Sequence, residues 1–283
     1  ETLIEQAAKL DPYDAEVWGI WAQIDARLVH ATPGGSKMRL ESAWLKARQA
    51  MKLAPRSFHA RLGHAAALAA PRQTVGMEQA EKLLRTLLAE KPDDRSVFYF
   101  LRITISNLGR PQEAAALAEQ TTGRRDLWEL YFARRYRECE ELVDEQLDKA
   151  GAGNPSLWAL KIQLWIHWQG DLDQAKLLLE RAPPEAVTND WGIWIAWQLF
   201  QWRREPQRAL AVLKSAATEW IACRTYVGPK AFLAGEAYVA DRAPEAARLA
   251  FRHALRLLEE RLTSEPEDRG FLKLKAECQE YLG

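Results

Sequence analysis

A three-residue pattern recurs along this chain of 283 residues. A small residue is followed four positions later by an apolar one, and three positions after that by another small or apolar one. Such offsets place side chains on one face of an α-helix, where small residues let a second helix approach closely. The pattern occurs in five sets: Ala43, Ala47 and Ala50; Ala80, Leu84 and Leu87; Ala175, Leu179 and Ala182; Ala209, Leu213 and Ala216; and Ala247, Phe251 and Ala254. Successive sets start mostly about 30 to 40 residues apart, which predicts a helical repeat array rather than one compact core.

The composition is that of an ordinary soluble protein. Hydrophobic residues make up 48% and charged residues 28% of the chain, so global disorder is not expected. Basic and acidic residues number 39 each, and the formal net charge is zero. This balance disfavours broad binding to nucleic acid or acidic membranes, and we expect no nucleic-acid partner.

Membrane, metal and disulfide signals are missing from the sequence. No apolar run approaches the roughly 20 residues that span a bilayer, so we expect no membrane insertion. The three cysteines, Cys139, Cys223 and Cys278, are too few and too scattered for a disulfide framework or a metal site. They fit a reducing compartment. We expect a cytoplasmic protein, or a periplasmic one if an N-terminal signal has been removed.

Helical periodicity runs through almost the whole chain, and alternating β-branched runs are missing. The predicted helices cover 1–10, 15–30 and 37–53, then the pairs 57–70 with 76–90, 95–108 with 111–121, 124–134 with 136–150, 156–169 with 172–182, 190–203 with 206–222, and 228–241 with 244–263, and finally 267–282. A flexible connection is expected over 31–36. The pair between 122 and 155 has a short first helix and is expected to stack irregularly.

The residues of the last predicted pair carry a family resemblance. Gly235 and Tyr238 precede Ala247, Phe251 and Ala254 in the order and spacing of the tetratricopeptide repeat (TPR) signature, which the chain therefore resembles. Further partial matches are Trp18, Leu62-Gly63, Gly170-Asp171 with Ala175 and Ala182, and the closing prolines Pro12, Pro55 and Pro92. Departures are insertions near 31–37 and 71–76, and Cys139 in a slot that the family fills with a small residue.

The resemblance implies an all-α fold, a right-handed α-solenoid of about seven TPR-like helix–turn–helix repeats with terminal capping helices. We expect a single domain over 1–283, which divides into a partial repeat (1–12), N-terminal repeats (13–121), an irregular repeat (122–155), C-terminal repeats (156–266) and a capping helix (267–283). The C-terminal half also resembles TPR arms found beside bacterial kinase and regulator domains, which implies a bacterial source.

In TPR proteins the first helices of the repeats line a concave face that binds extended peptides or helices. Mapped onto this chain, that face gives a groove of ten residues: Trp128, Tyr131, Phe132, His167, Trp168, Trp191, Trp194, Gln198, Gln201 and Trp202, with Phe232 and Glu236 further along. We expect a non-catalytic scaffold that binds a peptide segment of a protein partner, with tryptophan anchors and with Gln198 and Gln201 bonding the peptide backbone.

Several alternatives remain open from the sequence. The tryptophans can instead fill the core, since aromatic stripes at helical spacing commonly do so. The same aromatic concavity suits a small-ligand or glycan receptor or an enzyme, provided that two carboxylates converge near Trp191 and Trp194. A third alternative is self-association into a homo-oligomer through the helix at 1–10.

The arginine-rich stretch 123–137 allows either nucleic-acid binding or a solvated face paired with neighbouring glutamates. No nucleophile elbow, phosphate-binding glycine loop or metal-ligand spacing occurs. We therefore expect no catalytic residue, no metal and no cofactor.

Overall fold

The computed structural model describes residues 2–31, 37–70, 74–122, 125–150, 154–223, 225–264, 266 and 268–283. Within them the regular structure is seventeen α-helices, one π-helical turn and one short β-hairpin. The helices are α1 (Thr2–Leu10), α2 (Ala15–Ala31), α3 (Lys37–Leu53), α4 (Phe58–Ala69), α5 (Thr74–Glu90), α6 (Arg95–Asn107), α7 (Pro111–Thr122), α8 (Leu127–Phe132), α9 (Tyr136–Ala150), α10 (Pro155–Leu164), α11 (Leu172–Arg181), α12 (Pro184–Thr188), α13 (Asp190–Trp202), α14 (Pro206–Lys214), α15 (Lys230–Ala240), α16 (Pro244–Ser264) and α17 (Arg269–Leu282). The fold is an all-α solenoid of consecutive helix pairs.

The chain divides into two compact units, Glu1–Cys139 and Glu140–Gly283. In the N-terminal unit α2 packs on α3 and α4, α4 on α5, and α6 on α7. The alanines of the repeated pattern lie at these contacts, and Ala43, Ala47, Ala50 and Ala80 are fully buried. Small side chains at helix contacts thus have the packing role that the pattern predicts.

Two first helices of the N-terminal unit touch backbone to backbone. A Cβ on Gly19 of α2 would lie 2.3 Å from the carbonyl oxygen of His59, at the start of α4. A Cβ on Gly63 would lie 2.6 Å from the Gly19 oxygen. Glycine is therefore required at both positions, because any side chain would push the helices apart.

A buried charge links α2 to its second helix α3. The Asp25 carboxylate is fully buried, and it accepts hydrogen bonds from Lys46 Nζ at 2.5 Å and Arg39 Nη1 at 3.1 Å. The Lys46 ammonium also lies 3.7 Å from the centre of the Trp21 ring. Such a pair fixes the register of two helices, since neither charge can be buried alone without a large desolvation cost.

The turns inside five successive helix pairs share one backbone conformation. A single residue adopts the left-handed conformation in each: Gly109, Arg134, Gly170, Arg204 and Arg242. In four of the five turns, the next residue donates its N–H to a carbonyl five residues back, as Glu205 does to Phe200. This is the helix-ending arrangement that reverses the chain between two helices.

The C-terminal unit has its core between the helix pairs α13–α14 and α15–α16 and the last helix α17. Phe251 and Phe271 are almost fully buried there, as are Ala209 and Ala254. The predicted terminal helix is α17, and its Asp268 caps the helix by accepting from the Phe271 N–H at 2.9 Å.

Helix boundaries between 156 and 229 differ from the prediction. The expected helix 156–169 ends at Leu164 and continues as a π-helical turn, Trp165–Gln169. The short helix α12 was not predicted. The expected helix 206–222 ends at Lys214 and is followed by an antiparallel hairpin, β1 (Trp220–Ala222) with β2 (Val227–Pro229).

Tertiary contacts explain the hairpin. Ile221 of β1 is fully buried, the Ala222 N–H donates to the Asp190 carboxylate, and the Lys230 N–H donates to the Glu219 carbonyl. Three-residue strands are too short to show the alternation by which a strand is recognised in a sequence.

Three further predictions concern a connection, an insertion and the irregular repeat. The connection expected over 31–36 lies outside the described residues apart from Ala31, which ends α2. The insertion near 71–76 is described only from Thr74, where α5 begins. In the irregular repeat the first helix, α8, has only six residues, as the sequence suggested. The thiol of Cys139 in the same repeat is buried.

Candidate functional site

The predicted groove residues of the C-terminal unit lie on α13 and on the π-helical turn that follows α10. The π-helical turn places His167 and Trp168 one after the other, just before the left-handed Gly170 ends the helix. π-helical turns inside α-helices are uncommon and occur often at functional sites. No feature of the sequence predicted this turn.

His167 is the centre of a compact polar and aromatic cluster. Its Nε2 lies 3.0 Å from Gln198 Oε1, and its ring centroid lies 5.4 Å from that of Trp202. Burial lowers the pKa of His167, an effect that the hydrogen bond to Gln198 partly offsets. The neutral imidazole donates from Nε2 to the amide oxygen, which fixes both side chains on the surface that Trp202 covers.

Two tryptophans of this cluster present surface to solvent. Trp202 is 50% exposed and Trp168 is 36% exposed, although both are large and apolar. Gln201 lies beside Trp202, and its buried Oε1 has no donor among the residues that the structure describes. His167, Gln198 and Trp202, which are in contact, are called the tryptophan patch below, together with their chain neighbours Trp168 and Gln201.

Trp191 and Trp194, also predicted for the groove, make packing contacts. The Trp191 Nε1–H donates to Oε1 of the buried Gln163, at 3.3 Å. Trp194 stacks between Trp197, at a centroid distance of 5.1 Å, and Tyr226, at 4.8 Å. The sequence did not single out Gln163 or Tyr226 as neighbours, because they come from other elements.

Tyr226, which stacks on Trp194, also interacts electrostatically with acidic and thiol side chains, among them Glu236 and Cys278. Burial raises the pKa of Glu236 to about 7, and the nearby Glu277 carboxylate adds to the increase. Burial likewise raises the pKa of Cys278 to about 12. Tyr226 is partly buried, and its hydroxyl donates to the Pro229 carbonyl at 3.0 Å. Glu236 thus titrates near neutral pH, well above the range of an ordinary glutamate.

Three predicted groove residues lie in the N-terminal unit, on the short helix α8. Trp128 and Phe132 are stacked at 6.0 Å, and Tyr131 contacts both rings edge-on at 6.2 and 5.7 Å. Tyr131 is buried, whereas Phe132 is 39% exposed. Since α8 and the tryptophan patch belong to different units, each is described by itself.

One arginine of the arginine-rich stretch next to α8, Arg135, is paired with acidic residues. Arg135 bonds Glu138 and also lies 2.8 Å from the Glu119 carboxylate. Hydrogen bonding by Arg135 lowers the pKa of Glu138. The pairing agrees with the interpretation of this stretch as a solvated face. Gly123 and Arg124 lie outside the described residues.

Among the described helices, none combines the length and apolar character that a membrane span requires. No protein-family model and no curated protein matches the sequence.

Solved structures do resemble the chain. A tetratricopeptide repeat protein from Parabacteroides merdae superposes with a TM-score of 0.55 at 15% sequence identity, over 85% of this chain and 93% of that one. The Cut9–Hcn1 hetero-tetramer of APC/C contains a chain that superposes with a TM-score of 0.56 at 12% identity, over 98% of this chain and 51% of that one. At these identities the likeness shows the fold, which is that of TPR proteins.

Proposed function

We propose that this chain, which has the tetratricopeptide-repeat fold, is a non-catalytic interaction scaffold whose tryptophan patch binds a peptide segment of a protein partner. The observation that supports this most directly is the exposure of Trp202 and Trp168 beside side chains that are already fixed. Rigid aromatic surface loses little conformational entropy on binding, so it is an effective anchor for a peptide.

Polar atoms around the aromatic surface add a means of orienting the peptide. The Gln198 amide is oriented by His167, so its NH2 group is available to a peptide carbonyl. The Oε1 of Gln201 is buried without a donor among the described residues, so a peptide N–H would satisfy it once the side chain rotates toward the surface. An extended segment offers both groups along its backbone, while its apolar side chains contact the indole rings.

The experiment is a selection of 12-residue peptides, roughly the length such a face accommodates, on the intact chain, followed by titration of variants. Trp168→Ala with Trp202→Ala should weaken the selected peptides at least about tenfold, because the anchoring surface is lost. The melting temperature should change by less than about 3 °C, since these rings are partly solvated.

Tyr13→Ala is the matched control, because Tyr13 is an exposed aromatic residue in the other unit. It should leave peptide affinity unchanged. Equal affinity of the double variant and the unchanged chain would contradict the proposal. Loss of folding in the double variant would instead assign both rings to the core, and Gln198→Ala would then test the surface without removing an aromatic ring.

A small-ligand site beside Trp194 and Tyr226 is the second candidate. Its specific support is the interaction of Glu236 with Glu277, close to the Tyr226 ring that stacks on Trp194. Such a pair is the acidic arrangement that this alternative requires. A ligand bound there would change the pH at which Glu236 titrates, whereas a peptide on the tryptophan patch would not.

A further inference from the structure

A groove of about 500 Å³ lies between α14, α15 and α16, and it shares no residue with the tryptophan patch. Leu210 and Leu213 of α14 form one wall, and Leu249 and Ala250 of α16 form the other. Ala231 and Ala234 of α15 form the floor. Two second helices thus flank a first helix that carries only alanines toward the middle of the groove.

Small side chains and the short length of α14 leave the groove open. Alanines line its floor and part of one wall, where larger side chains would fill the space. The α14 wall ends at Lys214 after nine residues, whereas α16 has 21 residues. Leu249 is 66% exposed at the rim, so the described contacts of the chain leave most of this apolar side chain uncovered.

One end of the groove carries the charge. Lys214, Glu219, Lys230 and His253 lie there, at the end next to the hairpin. The Glu219 carboxylate is 3.4 Å from Lys230 Nζ and 3.7 Å from His253 Nε2. Lys214 has no ion-pair partner among the described residues. Two ammonium groups therefore face one carboxylate, and this end has an excess of positive charge.

The opposite end is apolar, since Tyr238, Ala246 and Leu210 lie there. An occupant that matches both ends has apolar side chains along one face and an acidic group at one end. The walls are two helices, and they present side chains rather than unpaired backbone groups. A third helix can lie between them by ridges-into-grooves packing, whereas an extended strand would find no sheet edge to pair with.

We propose that this groove binds an amphipathic helix of a partner protein. Leucine-sized side chains of that helix, four residues apart, would contact Leu249 and the alanine floor. An acidic residue in its next turn would pair with Lys214 and Lys230. This interaction is independent of peptide binding at the tryptophan patch.

The probe is a capped, alanine-rich peptide of roughly 14 residues with two leucines four residues apart and two glutamates in the following turn. It is titrated into the isotopically labelled full chain and followed by NMR. We expect the amide resonances of Ala234, Leu249 and Ala250 to shift, with a Kd on the order of 10 to 100 µM. Peptides with lysine for glutamate, or alanine for leucine, should bind at least about tenfold more weakly.

Two substitutions in the chain test the assignment. Leu249→Ser should weaken the peptide at least about tenfold, because it removes the rim contact. Leu45→Ser is the matched control, since Leu45 is 64% exposed on the second helix α3, and it should have no effect. Lys214→Glu should reverse the preference, so that the lysine peptide binds better than the glutamate peptide. Unchanged melting curves would show that all three variants fold.

Other outcomes overturn the proposal. No resonance shift at millimolar peptide would do so, as would equal binding by Leu249→Ser. Shifts confined to His167, Gln198 and Trp202 would assign the peptide to the tryptophan patch instead. Decanoate that shifts the groove resonances when the peptide does not would make this a small-ligand pocket. A dimer in light scattering that Leu249→Ser dissociates would make a second copy of the chain the occupant.

Discussion

The tryptophans of α13 have different roles, and their contacts distinguish them. Trp197 is buried and donates its Nε1–H to the Leu233 carbonyl at 3.2 Å, whereas Trp202, five positions later on the same helix, is half exposed. Trp194 lies between two rings. Helical spacing puts residues on one face of a helix, but only the neighbouring elements determine which of them remain exposed.

The stability of the C-terminal unit should depend on pH through Glu236. Burial and Glu277 raise the pKa of Glu236 from its ordinary value of 4.5 to about 7. Between these values the folded chain holds a proton that the unfolded chain has released, so the free energy of unfolding falls as pH rises. The loss is at most about 3 kcal/mol. Glu236→Gln should remove this loss in urea titrations between pH 4.5 and 8.

At each pH, the free energy of unfolding of the Glu236→Gln variant must be compared with that of the unchanged chain. Ion-paired carboxylates such as Glu81 and Glu113 act in the opposite direction, because hydrogen bonds from Arg110 lower their pKa values. Their contribution is present above the unfolded pKa and is lost as pH falls below it. Glu277→Gln should remove only part of the Glu236 effect, since burial is the larger cause. An identical pH slope in Glu236→Gln would exclude the assignment.

At the scale of helices, backbone approach and side-chain size determine how pairs pack. The pattern of small residues predicts close packing, and the structure shows it at Ala43, Ala47 and Ala209. Two first helices nevertheless also approach closely, at Gly19 and Gly63, where backbone meets backbone. Gly63 belongs to the Leu62-Gly63 match to the TPR signature, and Gly19 is the residue that its backbone meets.

Gly19→Ala should destabilise the N-terminal unit by about 1–3 kcal/mol. The added methyl group would overlap the His59 carbonyl, which is fixed backbone at the start of α4. Alanine would otherwise favour a helix over glycine, so the sign of the change is informative. Gly270→Ala is the control, because its Cβ would meet only the Asp268 side chain, at 3.2 Å. Thermal unfolding measures both; a stabilised Gly19→Ala would show that α2 and α4 do not touch.

At the scale of the whole molecule, two compact units divide the chain near residue 139. The N-terminal core includes Leu62 and Phe100, and the C-terminal core includes Leu233 and Phe251. Helical repeats are stabilised by their own packing and by contacts with adjacent repeats, so a defect should act mainly where it is placed. The sequence predicted one continuous domain over 1–283, and that prediction remains to be tested.

Leu62→Ala should destabilise the N-terminal unit by about 2–5 kcal/mol, because it leaves a cavity in a fully buried site. Hydrogen exchange should then accelerate for amides in α2 to α6 and stay unchanged in α13 to α16. Phe251→Ala should give the reverse pattern. Uniform acceleration across both units in either variant would show that the chain unfolds as one cooperative body.

Much of the fold could be predicted because its signals are local. Helix pairs such as α6 with α7 follow from apolar periodicity, from the Asp94 cap that accepts from Ser96 and Val97, and from Gly109 in the turn. The turns at Arg134 and Arg204 carry no glycine, so their left-handed residue could not be foreseen.

The candidate site was predicted less completely. The sequence placed His167, Gln198 and Trp202 on first helices, and the structure brings them into contact. It gave no sign of Tyr226 against Trp194, because Tyr226 belongs to a hairpin that was expected to be partly helix.

Local sequence is enough to make this chain a series of paired helices, because helix periodicity, small-residue spacing and turn residues act within a few positions. The end of α14, the exposure of each tryptophan and the carboxylates that interact follow only from the packing of the helices. Those outcomes depend on the hydrogen bond of Ala222 to Asp190 and on the charge repulsion between Glu236 and Glu277, and the partners of each interaction are more than 30 residues apart. Burial and pairing energies of that kind arise only after the helices have packed.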